Sequence, residues 1–277
     1  MKFDLDTAWK DTTSLIRETF SLLAVIAGVF YFVPYTAAQL WIPGMSELIN
    51  GDFDPNSDRM QAMVNDMFAN YWWALLLLII VQGIGMLAML TMLRRHERPT
   101  VAEAIGNGAR SVASYIAAAL IIGFGLGILI VLLVAIPLAT GIAALGVLGA
   151  IAAFVFFCYA LTKLSLSTPV IAIEGQLNPL VALRRSWQLT KGNSLRLFFF
   201  YLLIVVAYFV ISVLIGLLFM LVFAFGGPES QEFGQAISTS LINAIAAIIS
   251  ACLLAAVYRQ FTRLRDHAQA AGVPPTD

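Results

Sequence analysis

The chain has 277 residues, of which 60% are hydrophobic and 12% charged, and its 16 basic and 16 acidic side chains give a formal net charge of +0. A soluble domain carries roughly 25% charged residues, so this composition excludes a water-soluble globular protein and points to a polytopic membrane protein. No nucleic-acid partner is expected.

A hydrocarbon core of about 30 Å needs about 20 apolar residues per helix. Six stretches meet that length, at about 19–40, 71–93, 115–136, 141–161, 197–225 and 236–258, and none contains Asp, Glu, Lys, Arg or His. The predicted fold is therefore all-α: a single six-span integral membrane bundle over 1–277, with amphipathic helices on its cytoplasmic surface.

The region before the first span carries Asp4, Asp6, Asp11 and Glu18 beside its basic residues. It reads as an amphipathic helix leading into a retained span, not as a secretory signal. Between spans one and two lies a long acidic loop, about 42–70. Its "DFDPNSD" alternates acids like a calcium loop, but Ser57 stands where the glycine is needed and Met63 where the terminal glutamate is needed, so no metal is expected. Span two holds Gln82 and span six Asn243 as the most polar mid-span residues, and hydrogen bonding between helices accounts for either.

Thr100 and Glu103 form an S/T-x-x-E capping box ahead of span three. Within that span "GFGLG" lacks a preceding strand and is no nucleotide loop. Gly123 with Gly127, and Gly146 with Ala150 on the next span, are expected to let helices approach closely. Pro34 and Pro137 lie near span ends, where they require no transporter-like break. Cys158 and Cys252 sit singly in apolar segments and read as core residues, and His96 and His267 as solvated interfacial ones. Span five is about 29 residues, roughly 43 Å at about 1.5 Å per residue, so it is expected to tilt, kink or project.

Basic residues sort to one side. Lys2, Lys10 and Arg17 precede span one, and Arg94, Arg95, Arg98 and Arg110 lie between two and three. Lys163, Arg184, Arg185, Lys191 and Arg196 lie between four and five, and Arg259, Arg263 and Arg265 follow six. Only Arg59 falls in the acidic loop. Cytoplasmic retention of Lys and Arg then puts both termini inside, in a bacterial plasma membrane.

Three amphipathic segments, "DTAWKDTTSLIRETF", "RPTVAEAIGNGARSVASY" and "NPLVALRRSWQLTKGNSLR", each precede a pair of spans, so the organisation reads as three helix-plus-hairpin units. In the third, Asn178 and Pro179 make an N-cap and first-turn proline, Gly192 a stop, and Asn193 a cap for span five. On a helix from Leu180, Leu183 and Trp187 share a stripe with Arg184 and Lys191 beside it, while Arg185 projects elsewhere and Leu189 faces nearly the opposite way.

The sequence "TPVIAIEGQLNPLVALRRSWQLTKGNSLR", 168–196, resembles the signature of the membrane domain of glycerophosphoryl diester phosphodiesterases and of YciC-type bacterial membrane proteins. Phosphodiesterase chemistry in that family belongs to a separate soluble barrel, for which the chain has no room after its sixth span. The resemblance therefore implies the anchor without the enzyme.

The basic cluster of Arg184, Arg185, Trp187 and Lys191 is either a topology marker or a set of lipid-headgroup contacts. Glu174, Gly175, Asn178, Pro179 and Gly192 are expected to form the structural clasp around it, with Glu174 pairing to Arg184 or Arg185. A lone carboxylate without a second acid, a histidine or a metal does not make general acid–base catalysis, so neither an enzyme nor a cofactor is expected. The expected partners are membrane lipids, anionic ones included, and a protein partner or a second copy of the chain. Transport of a lipid or other apolar molecule is the alternative, because no ionisable group sits within a span.

Overall fold

The computed structural model describes residues 3–45, 58–94 and 99–270, and all regular secondary structure among them is helical. Helix α1 (Leu5–Ala27) passes through a π-turn at Gly28–Phe32 into α2 (Val33–Trp41), and α3 (Asp58–Met92) follows. Helix α4 (Val101–Ile130) passes through a second π-turn, Val131–Ala135, into α5 (Ile136–Ala139). Then come α6 (Ala143–Leu164), two short helices α7 (Ser167–Ile173) and α8 (Pro179–Leu189), and the long α9 (Ser194–Phe223) and α10 (Gly227–Ala270). Six runs among the described residues are long and apolar enough to cross a membrane. The protein is a multi-pass membrane helical bundle. Arg95, His96, Arg98 and all of the "DFDPNSD" loop except Asp58 lie outside the described residues.

Both π-turns sit immediately ahead of a proline, Pro34 or Pro137, at the start of the next helical segment. Proline offers no N–H to the carbonyl four residues back and its ring crowds that carbonyl, so the chain widens by one residue and continues. The helix survives in both cases.

The three amphipathic segments are all helical but are joined differently from the expectation. Those of α1 and α4 run without a break into the spans that follow, since no glycine or proline interrupts them at the join. Only the third is a separate helix, α8, because Gly192 adopts φ +83° and turns the chain before α9. Asp4 caps α1, accepting from the Thr7 hydroxyl and the Asp6 N–H, and these two bonds, in that order, hold its carboxyl below the ordinary value. Thr100 and Glu103 close the capping box reciprocally at the head of α4.

Close helix approach occurs at glycines, though not at all those expected. A Cβ on Gly108 of α4 would lie 2.7 Å from the Ile84 carbonyl oxygen of α3. Gly149 of α6 lies against the Leu133 carbonyl, the group four residues before Pro137 that proline leaves without its usual donor. Gly146 packs on Leu138. Gly123 and Gly127, by contrast, meet nothing within 4 Å. They line an open apolar groove with Phe124, Ile128, Val131 and Leu132 on the outer face of α4, because the partner helix α6 contacts this run further along, at the π-turn.

Packing is uneven along the bundle. More than half of the most apolar stretch of α10 is buried inside the protein, whereas none of that of α4 or α9 is. Helices α1, α3 and α10 thus form the centre, and α4, α6 and α9 present side chains such as Phe124, Phe154 and Phe209 outward. The main core gathers Leu23, Ile26, Leu87, Leu90, Leu166, Ile171, Ala251 and Val257, while a second cluster is built on Ala38, Ile42 and Met67.

The start of α1 and the end of α10 lie together. Phe3 is fully buried, stacked on Phe261 at 5.2 Å between ring centroids and edge-on to Phe200 at 5.8 Å. Its N–H donates to Asn193 Oδ1 at 2.9 Å, and its carbonyl accepts from Arg196 at 3.2 Å. Asn193 therefore does not cap α9 with its side chain as expected; that oxygen is taken by the Phe3 backbone. Near the far end of the bundle Trp41 packs against Tyr71 and Trp73, a grouping suited to a membrane–water interface.

Candidate functional site

The segment between α6 and α9 builds a platform at the end of the bundle that holds Phe3 and Phe261. Helix α7 is its inner layer, with Pro169, Val170, Ile171 and Ala172 buried. The Ala172 carbonyl accepts twice from Arg94, at 3.2 and 2.8 Å, which fastens α7 to the end of α3. Arg259 donates in turn to the Leu93 carbonyl, so α10 joins the same fastening.

Helix α7 ends at Glu174, after which Gly175 adopts φ +71°, a left-handed conformation that glycine accepts without steric penalty. Asn178 caps α8 by accepting from the Leu180 and Val181 N–H groups at 3.0 and 3.4 Å, and Pro179 opens the first turn. Glu174 Oε1 is 3.3 Å from Arg185 Nε and accepts from the Tyr258 hydroxyl at 2.7 Å. The acid thus closes the turn against both α8 and α10. Of its two candidate partners the structure selects Arg185, which turns away from the exposed row of basic residues.

Helix α8 buries a different stripe from the one the sequence suggested. Ala182, Leu183, Ser186 and Leu189 face inward, whereas Trp187 is 40% exposed. Small Ala182 and Ser186 let α8 come close to the end of α6, where Ser186 donates to the Lys163 carbonyl at 2.7 Å and accepts from the Leu166 N–H at 3.1 Å. A buried polar stripe wins over a purely apolar one because it satisfies backbone groups left open where α6 ends.

The outward face consequently carries Leu180, Arg184, Trp187 and Lys191 in one line, with Val181 beside it. Leu180 is 63% exposed. An apolar and aromatic face studded with basic groups suits the depth at which acyl chains meet headgroups.

Two residues escaped the sequence reading. Lys163, taken there as an orientation marker, is almost wholly enclosed, with Nζ 5.7 Å from the ring centroid of Tyr159 and 5.3 Å from that of Trp187. The four-residue spacing of Tyr159 and Lys163 on one helix was the available signal. Tyr258 ends the predicted sixth span and gave no local sign that its hydroxyl reaches Glu174.

Elsewhere, Gln82 offers its backbone carbonyl to the Tyr31 hydroxyl at 2.9 Å. Gln39 bonds Thr239 at 2.7 Å, joining α2 to α10. Among the described residues no group of three or more His, Cys, Asp or Glu is placed to hold a metal ion.

Residues 22–264 match the family model described as "Domain of unknown function (DUF7847)". No curated protein and no solved structure matches the chain.

Proposed function

The chain belongs to the DUF7847 family, and we propose that it is a non-catalytic multi-pass membrane protein that gathers anionic lipids at the inner leaflet of a bacterial plasma membrane. Both termini are then cytoplasmic, and the platform of α7 and α8 lies at headgroup depth. The observation that carries this reading is the outward line of Leu180, Arg184, Trp187 and Lys191, displayed on a helix whose opposite stripe is fixed to the bundle by Ser186. The sorting of basic residues to the same side supports the orientation. The resemblance of 168–196 to an anchoring membrane domain supports the non-catalytic role.

Each basic group near an anionic surface contributes about 1 kcal/mol, so Arg184 and Lys191 together contribute about 2 kcal/mol, enough to enrich anionic lipid locally. Arg185 is left out of that sum because it serves Glu174. The test is native mass spectrometry of protein released from nanodiscs of mixed phosphatidylglycerol and phosphatidylcholine. Wild type should carry an excess of phosphatidylglycerol over the bulk ratio, and Arg184→Ala/Lys191→Ala should return to the bulk ratio. Identical lipid profiles in a correctly oriented variant would refute the reading.

A second reading, movement of a lipid or another apolar molecule, is favoured by the groove along Gly123, Phe124, Gly127 and Ile128, whose lining is wholly apolar. Faster scrambling of labelled lipid in proteoliposomes than in empty liposomes would favour it.

A further inference from the structure

We propose that Met45, Met63 and Met67 form a thioether site for one soft monovalent metal ion, Cu(I) or its analogue Ag(I), at the end of the bundle opposite the platform of α7 and α8. The site shares no residue with the α8 face and does not rest on the lipid reading.

Four of the nine methionines, Met45, Met60, Met63 and Met67, fall within one short stretch of the chain. Met60, Met63 and Met67 follow at three- and four-residue spacing on α3, so they share one face of that helix. The Cβ atoms of Met63 and Met67 are then about 5–6 Å apart. Met45 is brought to them by the turn that follows α2. Gly44 takes φ +77°, and the Met45 N–H donates to the Ile42 carbonyl at 3.2 Å. A Cβ on Gly44 would lie 2.7 Å from both Cγ and Sδ of Met63, so the Met63 thioether occupies the space that a side chain would fill. Met67 is buried in a cluster with Ala38 and Ile42, and Met45 packs against the same cluster. Thioethers from two segments therefore meet at one place.

Packing alone asks only for apolar volume, which leucine supplies with better-defined rotamers. A thioether adds a soft sulfur lone pair, and soft ligands of this kind select Cu(I). Three rotatable bonds in each side chain let sulfurs from neighbouring turns swing onto one ion. Harder ions find no rival donor set, since among the described residues no three His, Cys, Asp or Glu come together. The site also opens to water. Met45 and Met63 are half-buried, not enclosed. Tyr71, which packs against the same cluster, belongs with Trp41 and Trp73 to the aromatic group suited to the membrane–water interface. At the start of α3 the exposed Asp58 and Asp66 outweigh Arg59 and draw cations toward it.

The experiment is native mass spectrometry of the full chain titrated with Ag(I), with Cu(I) affinity read by competition against a chromophoric chelator. Wild type should take up one Ag(I) per chain. Uptake should be equal at about pH 5 and about pH 7, because a thioether, unlike His or Cys, sheds no proton on binding. Met63→Leu, which keeps the side-chain volume, should weaken Cu(I) by at least about tenfold, no less than losing an outer-shell partner does at other metal sites. Met220→Leu, at a lone exposed thioether on α9, should not. No uptake by wild type, or uptake by Met45→Leu/Met63→Leu/Met67→Leu equal to wild type, overturns the proposal. If a variant is not monodisperse, X-ray absorption of the Cu(I)-loaded wild type decides: a shell of sulfur alone supports the site, and a shell of nitrogen or oxygen overturns it.

Discussion

The Tyr258 hydroxyl donates to Glu174 Oε1 at 2.7 Å, and the same oxygen pairs with Arg185 Nε at 3.3 Å. One carboxylate oxygen thus ties α10 to the turn that launches α8. Removing the phenol leaves that oxygen with the guanidinium alone, so Tyr258→Phe should cost about 1 to 2 kcal/mol, read as a lower thermal midpoint in detergent. In a double-mutant cycle with Glu174→Gln the two losses should be clearly less than additive; full additivity would show that the contact does not hold the turn.

Ser186→Ala removes the acceptor of the Leu166 N–H and the shorter of the two bonds to the Lys163 carbonyl, leaving that carbonyl only the longer bond from Thr190. Buried groups left unpaired cost about 1 to 3 kcal/mol each. The expected result is a destabilised platform, seen as faster proteolysis around 174–178 while the spans stay protected. Cleavage no faster than in wild type would count against α8 being fastened through this hydroxyl.

Two kinds of glycine should separate cleanly. Gly108→Ala forces a methyl to 2.7 Å from the Ile84 carbonyl oxygen, backbone against side chain, and overpacking of this kind costs about 1 to 3 kcal/mol. Gly123→Ala and Gly127→Ala meet open space, so they should be neutral or stabilise slightly, by up to about 1 kcal/mol from helix propensity. Equal destabilisation at all three positions, measured by thermal unfolding, would contradict the observed packing of α4.

Phe3→Ala empties a fully buried position between Phe200 and Phe261. Truncating a buried phenylalanine costs about 3 to 5 kcal/mol, large for a residue at the edge of the described chain. Thermal unfolding should show it plainly, and Phe3→Leu should restore part of the loss. A Phe3→Ala midpoint equal to wild type would show that the ring is not docked in the membrane-embedded protein.

Much of this architecture could be read from residues one at a time. The six apolar runs, the Thr100–Glu103 capping box and the Asn178–Pro179 start of α8 are local signals, set by hydropathy and by which backbone groups a short polar side chain can reach. What escaped depends on partners far away in sequence. Nothing near Asn193 announces that its oxygen serves the Phe3 N–H. Helix α7 was hidden because a seven-residue apolar stretch holding Pro169 has neither the length nor the period of a helix by itself. The stripe of α8 was misplaced for a related reason. Hydropathy ranks Trp187 above Ser186, but the end of α6 offered open backbone groups that only the serine could satisfy. The two-turn spacing of Arg184 and Lys191 was legible from the sequence, whereas the enclosure of Lys163 required the two helices to be brought together.

The stacking of Phe3 on Phe261 also imposes an order of events. During synthesis α1 emerges well before α10, yet the ring beside it cannot find its neighbour until α10 has been made. Until then the inner face of α1, with Ala8, Thr12 and Leu15, has no α10 to cover it. Helix α1 is therefore locked only after α10 is made, and the bundle closes as a ring. Ribosome-bound intermediates should remain open to cleavage near the start of α1 until α10 has been released.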